Sequence, residues 1–214
     1  AALLEPGAVE VRLHLPPPLE TPLRPRVAAD GLAEGRVDLL TADGARVASA
    51  RPARQSLPEP PAAPSLAEAA AAAARLRSAA LPEFRRCFVC GPDRARGDGM
   101  HLYAGPRDTL PGVAVAWTPD ASLARDGQIG REFVWAALDC PGYFACRDDG
   151  GSMLLGQMTA RVDELPLLGG SYVVSAWPIS HSGRKFESGT ALHAADGRVL
   201  AVAHQVWIER KSGD

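Results

Sequence analysis

The chain has 214 residues, 23 basic and 25 acidic side chains, a formal net charge of −2 and 46% apolar residues. That balance gives no general electrostatic pull toward nucleic acid or an anionic membrane, and the apolar share can bury a substantial core. No apolar run approaches the roughly 20 residues that cross a bilayer. The opening AALLEPGAVEV lacks the basic start and long apolar stretch of a secretory leader. The four cysteines are therefore expected as reduced thiols in a cytoplasmic protein.

In chain order, AVEVRLHL (8–15) alternates in the strand manner. PPPLETP interrupts it, and Leu23 to Ala29 resumes it. RVDLL, the turn TADGA and RVASARP then read as a hairpin, because Asp-Gly between alternating runs supplies the positive φ that tight turns need. Residues 52–64 are rich in Pro and Ala and read as a linker. Ser65 to Ala80 is a predicted helix: Ser65 caps it, Glu68 completes a capping box, and the alanine run has the highest helix propensity. It is expected to lie on the surface as a connector. Met100–Ala104 and Val113–Trp117 are predicted short strands, and the loop TPDASLARDGQIG leads into a helix beginning at Arg131.

That helix, REFVWAALDCPGYFAC (131–146), is apolar and carries Asp139 among Trp135, Leu138 and Phe144. Pro141-Gly142 is expected to kink or end it near Asp139 and Cys140. Four long strands follow: Met153–Glu164, Ser171–Ile179, Lys185–Ala194 and Arg198–Arg210. One helix ahead of four strands predicts an antiparallel sheet wrapped around a buried helix. Near its end the chain repeats itself. LLTADGARVASARP (39–52) resembles LHAADGRVLAVAHQ (192–205), and VRLHLPPPLETPL (11–23) resembles ARVDELPLLGGSY (160–172). Both matches have an offset of about 150 residues, as two copies of one strand-rich unit would. The first copy starts almost at its first long strand and lacks the preceding helix.

CFVCGPDRARGDGMHLYAGP, GVAVAWTP, EFVWAALDCPGYFA and SGTALHAADGRVLAVAHQVWI together resemble hotdog-fold proteins of the acyl-CoA thioesterase superfamily. The resemblance covers about 81–210 well and about 8–52 as a partial second unit. It implies an α+β double hotdog: a partial N-terminal unit (1–55), a linker with the Ala-rich helix (56–80) and a C-terminal unit (81–214). It also implies an acyl thioester lodged between units, a pantetheine arm beside the central helix, and a carboxylate assisting water. The expected function is hydrolysis or binding of an acyl-CoA or other acyl thioester. The alternative is a non-catalytic acyl-CoA or lipid-binding protein. A homodimer is expected, with no nucleic-acid or membrane partner and no cofactor beyond the coenzyme A of the substrate.

Individual residues carry two readings each. Asp139 is the first catalytic candidate, since apolar neighbours raise a carboxyl's pKa and make it a usable base. It could equally be a helix-end acid hydrogen-bonded to the following loop. Glu132, two turns earlier on the same face, is the second candidate, or an ordinary first-turn acid favoured by the helix dipole. The amides of Gly130, Arg131 and Glu132 could form an oxyanion hole, with Gln128 orienting water and Trp135 lining the site, or 126–130 is a plain turn. Arg184 and Lys185 in SGRK could bind CoA phosphates, or form a solvated hairpin tip. Cys87 and Cys90 form one CxxC, two ligands short of a zinc site, with no second pair or histidine at finger spacing. No metal is expected, and the pair reads best as packed thiols. No GxSxG, GxGxxG, Walker or HExxH motif occurs.

Overall fold

A computed structural model describes residues 7–27, 35–76, 84–108, 110–147 and 152–211. The strands are β1 (Val9–Leu13), β2 (Arg24–Val27), β3 (Val37–Leu40) and β4 (Arg46–Pro52). Helix α1 (Leu66–Leu76) follows, then β5 (Gly105–Pro106), β6 (Val113–Trp117), β7 (Ala124–Arg125) and β8 (Gln128–Ile129). Helix α2 (Arg131–Cys146) precedes β9 (Met153–Val162), β10 (Tyr172–Ser182), β11 (Lys185–Ala194) and β12 (Val199–Glu209). Ten strands form one antiparallel sheet in the order β2-β3-β4-β1-β9-β12-β11-β10-β6-β5. The architecture is α+β, a large antiparallel sheet with two helices, as the sequence predicts.

The internal repeat is visible in the register. Val9 pairs with Pro52 and Leu13 with Ala48 in β1–β4, while Met158 pairs with Gln205 and Val162 with Ala201 in β9–β12. Val27–Val37 in β2–β3 has its counterpart in Ala176–Thr190, and Val37–Ala50 in β3–β4 has its counterpart in Thr190–Ala203. Even the bulge between Leu39 and Leu40 recurs between Leu192 and His193. The two turns match bond for bond. Thr41 N–H donates to Ala45 O as Ala194 N–H does to Arg198 O, both at 2.9 Å. Gly44 (φ 90°) and Gly197 (φ 88°) occupy the left-handed position that each turn requires. The halves join where β1 runs antiparallel to β9, with Glu10 opposite Thr159.

Helix α2 packs on one face of β6 and β9–β12. Val134, Ala137 and Leu138 are fully buried there against Met158, Val174 and Leu192. A leucine so buried contributes roughly 1.5–3 kcal/mol. Helix α1 takes the opposite face, setting Ala69 and Ala72 on Ala114 and Val173. Small side chains allow this close approach, and Gly105 completes it, since a Cβ there would lie 1.8 Å from Ala72 O. The predicted capping box is present: Glu68 N–H donates to Ser65 Oγ at 3.2 Å and Ser65 N–H donates to Glu68 Oε2 at 2.7 Å. Residues 77–80 of the expected helix and 28–29 of the expected second strand lie outside the described residues.

Two expectations need correction. Met100–Ala104 is not a sheet strand. His101 takes φ 55°, which breaks the alternation, and the amides of Met100 and Leu102 donate instead to the carbonyls of Phe88 and Val89. Of the two outcomes expected at Pro141, a kink or an end, the end does not occur: α2 continues to Cys146 with Pro141 inside. Proline has no N–H for the carbonyl four residues back and crowds the preceding turn. Here Gln205 Nε2 of β12 donates to the Leu138 and Asp139 carbonyls at 2.7 and 3.1 Å. Gly142 leaves room for that amide, since a Cβ on it would lie 1.4 Å from Gln205 Oε1.

Candidate functional site

The second half of α2 borders a pocket of about 220 Å³. Asp139, Cys140, Tyr143 and Phe144 come from the helix, Phe84, Cys87 and Cys90 from the segment between α1 and β5, and Leu155 and Trp207 from the sheet. Tyr143 organises the aromatic wall, meeting the rings of Phe84, Phe144 and Trp207 at centroid distances of 5.0, 5.4 and 5.5 Å, all near perpendicular. Asp139 is the acid in this apolar setting. Its Oδ1 is sealed from solvent and has no hydrogen-bond partner. Burial pushes its carboxyl up to about 7, with the charge at Cys87 adding to the rise.

Gln205 holds this stretch of helix in place. Its Oε1 accepts from Ser188 Oγ at 3.0 Å, Thr190 Oγ1 at 3.1 Å and Trp207 Nε1 at 3.3 Å, while Nε2 serves the two helix carbonyls. A core-facing glutamine in the apolar run AVAHQVWI is the signal that sequence reading passed over. The CxxC loop between α1 and β5 also reaches the pocket. Gly91 N–H donates to Cys87 O at 2.9 Å, and a Cβ on Gly91 would lie 2.4 Å from that oxygen, so glycine is what permits the turn. The turn brings Cys87 within 3.6 Å of Cys140, sulfur to sulfur. Sequence spacing gave no hint that Cys140 would join the CxxC. All four cysteines are free thiols.

The remaining sequence candidates divide between the two ends of α2. Gln128, Gly130, Arg131 and Glu132 lie at its start. Gly130 N–H is committed to Leu123 O at 3.1 Å, Arg131 Nη1 donates to Val162 O at 3.1 Å, and exposed Glu132 faces Arg125 at 3.5 Å. Gln128 is exposed and bridges to Leu167, and Trp135 is half-buried against the core. The seven residues from Glu132 to Asp139 span about 10 Å of helix axis, so the two acids do not share a cleft. Arg184 and Lys185 lie toward the other end. Lys185 is opposite Ile208, next to the pocket residue Trp207. Arg184 donates to Glu209 O at 2.5 and 2.9 Å, and Lys185 pairs with Glu187 at 2.6 Å. A second, polar recess of about 670 Å³ lies across the CxxC loop between Arg94, Arg96, His101 and Asp120.

No protein-family model matches the sequence, and no curated protein does. Solved structures do. A thioesterase superfamily protein aligns over 58% of this chain and 63% of its own length, at 18% identity and a TM-score of 0.52. The TesB protein of Mycobacterium avium subsp. paratuberculosis aligns over 99% of this chain and 81% of its own, at 16% identity and a TM-score of 0.61. The chain shares a hotdog-like α+β fold with these structures. At these identities the likeness concerns the fold. Among the described residues, no helix is long and apolar enough to cross a membrane.

Proposed function

We propose that this protein binds an acyl thioester such as an acyl-CoA beside α2 and hydrolyses it with Asp139 as the base. The observation that carries this reading is a carboxylate oxygen sealed without a partner in an apolar pocket. Such an atom costs stability where it stands, and the residue that carries it lines the pocket. A pocket of about 220 Å³ is below the roughly 300–1,000 Å³ that encloses a drug-sized ligand. It suits an acyl group while the nucleotide stays outside, where Arg184 and Lys185 offer positive charge to phosphate. Asp139 takes a proton from water as the oxygen bonds to the thioester carbon. The C–S bond then breaks, and the leaving thiolate recovers the proton.

In this reading residues 1–55 form a partial hotdog unit, 56–80 a linker with α1, and 81–214 the complete unit, making a double hotdog in a cytoplasmic protein. Matching registers in β1–β4 and β9–β12 support it. The first unit leaves Leu13 and Val27 44% and 42% exposed, and a homodimer would cover them. Non-catalytic acyl binding is the second reading. It is favoured by the start of α2, whose amides lie too far along the axis to meet a carbonyl held at Asp139. Acyl-CoAs of short, medium and aromatic chain separate the two when free thiol release is followed. Hydrolysis that falls at least about 100-fold in Asp139→Asn, with the melting temperature kept, supports catalysis. Tight binding without turnover supports the second reading. Turnover indifferent to Asp139→Asn overturns the first.

A further inference from the structure

Three thiols from two distant segments converge on one point. The sulfurs of Cys87, Cys90 and Cys140 all lie within 4.8 Å of one another. Zinc bound tetrahedrally by thiolates at about 2.3 Å sets its sulfurs about 3.8 Å apart. The Cys87–Cys140 separation of 3.6 Å already meets that spacing without a covalent bond between them.

The surrounding backbone is built to hold the cluster. The tight turn at Gly91 presents Cys87 and Cys90 together, and the N–H groups of Val89 and Cys90 point at the Cys87 sulfur. Cys140 is fixed by α2, where Gln205 donates to the neighbouring Leu138 and Asp139 carbonyls. Cys146, the fourth thiol, belongs to a different cluster with Tyr143, Met153 and Trp207.

We propose that Cys87, Cys90 and Cys140 bind one zinc-like divalent cation as thiolates, leaving its fourth position toward the pocket that all three line. Three protein ligands and one exchangeable position is the pattern of an open zinc site, in contrast to a closed structural one. Binding releases the thiol protons to solvent and moves no electrons. The site stands on the sulfur geometry, and it shares its pocket with Asp139.

The test uses the full chain, reduced, stripped with a chelator and desalted. Titration with Co²⁺ is expected to give one ion per chain, with intense thiolate-to-cobalt charge-transfer absorption that equimolar Zn²⁺ abolishes. Alkylation followed by mass spectrometry is expected to show Zn²⁺ protecting Cys87, Cys90 and Cys140 and leaving the Cys146 rate unchanged. Cys87→Ser, Cys90→Ser and Cys140→Ser should each weaken Zn²⁺ at least about tenfold in chelator competition, while Cys146→Ser does not. The protection pattern of the unmutated chain keeps the test decisive where a variant fails to fold. No charge-transfer band, protection confined to Cys87 and Cys90, or a Cys87–Cys140 disulfide whose reduced form holds no Zn²⁺ would overturn the proposal. None of these readouts involves a thioester, so they stand apart from the outcome of the hydrolysis assay.

Discussion

Strands β1–β4 and β9–β12 share one register, one bulge and one turn, yet they live in different surroundings. Around β9–β12 the face that looks toward α2 is sealed: Leu192, Ala201 and Ala203 have no exposure. The corresponding face of β1–β4 carries Leu39, Ala48 and Ala50, all half-buried. The opposite face of β1–β4 is charged. There Asp38 meets Arg36 and Arg46 at 3.4 and 3.2 Å, and Glu10 meets Arg51 at 2.8 Å. Equal pairing under unequal burial shows that register follows from strand alternation and turn chemistry. The packed helix adds stability to a pattern set without it.

Matched substitutions at equivalent positions sharpen this contrast. The largest difference is expected between Gln205 and its counterpart Pro52. Gln205→Ala strips partners from the Leu138 and Asp139 carbonyls and should cost about 3 kcal/mol, whereas Pro52→Ala on an exposed position should stay within about 0.5 kcal/mol. Urea denaturation of both variants measures the gap, and equal costs would mean that Gln205 does not brace α2. Next come Leu192→Ala and Leu39→Ala. The first opens a cavity in a sealed core and should cost about 3 kcal/mol, the second about 1 kcal/mol. A comparable loss at Leu39 would reveal that its face is covered in solution.

The smallest effect concerns His193, whose counterpart is Leu40. His193 is 1% exposed, with its Nε2 at 3.1 Å from Ser175 Oγ. Burial is the main cause holding its imidazole below the ordinary value of about 6.5. The folded chain therefore binds fewer protons here than the unfolded chain does. The stabilising contribution is complete above about pH 6.5 and is lost as the pH falls below it. Urea midpoints at pH 7.5 and 5.5 should fall less with acid in His193→Leu than in the unmodified chain. An unchanged pH slope would remove His193 from the account.

Much of this was readable in advance because it is local. Asp-Gly turns, the Ser65–Glu68 cap and the period-two runs of β9–β12 act within a few residues. The repeat was legible for the same reason, since each copy carries its own turn and alternation. What escaped depends on contacts between distant segments. Nothing near Pro141 reveals that Gln205, more than sixty positions later, will bond the Leu138 and Asp139 carbonyls just before it. Nothing in the spacing of Cys87 and Cys90 announces Cys140. Asp139 was visible as an acid in an apolar run, but its separation from the amides at Gly130 became clear only once the helix was seen to be continuous.

The ladder from Val9–Ala160 to Arg12–Gln157 has one more consequence. Partners that meet through a sheet edge ordinarily separate on dilution, but these two edges belong to the same polypeptide. The tether keeps each edge at an effective concentration on the millimolar scale for the other. Closure of this seam should be insensitive to how much protein is present.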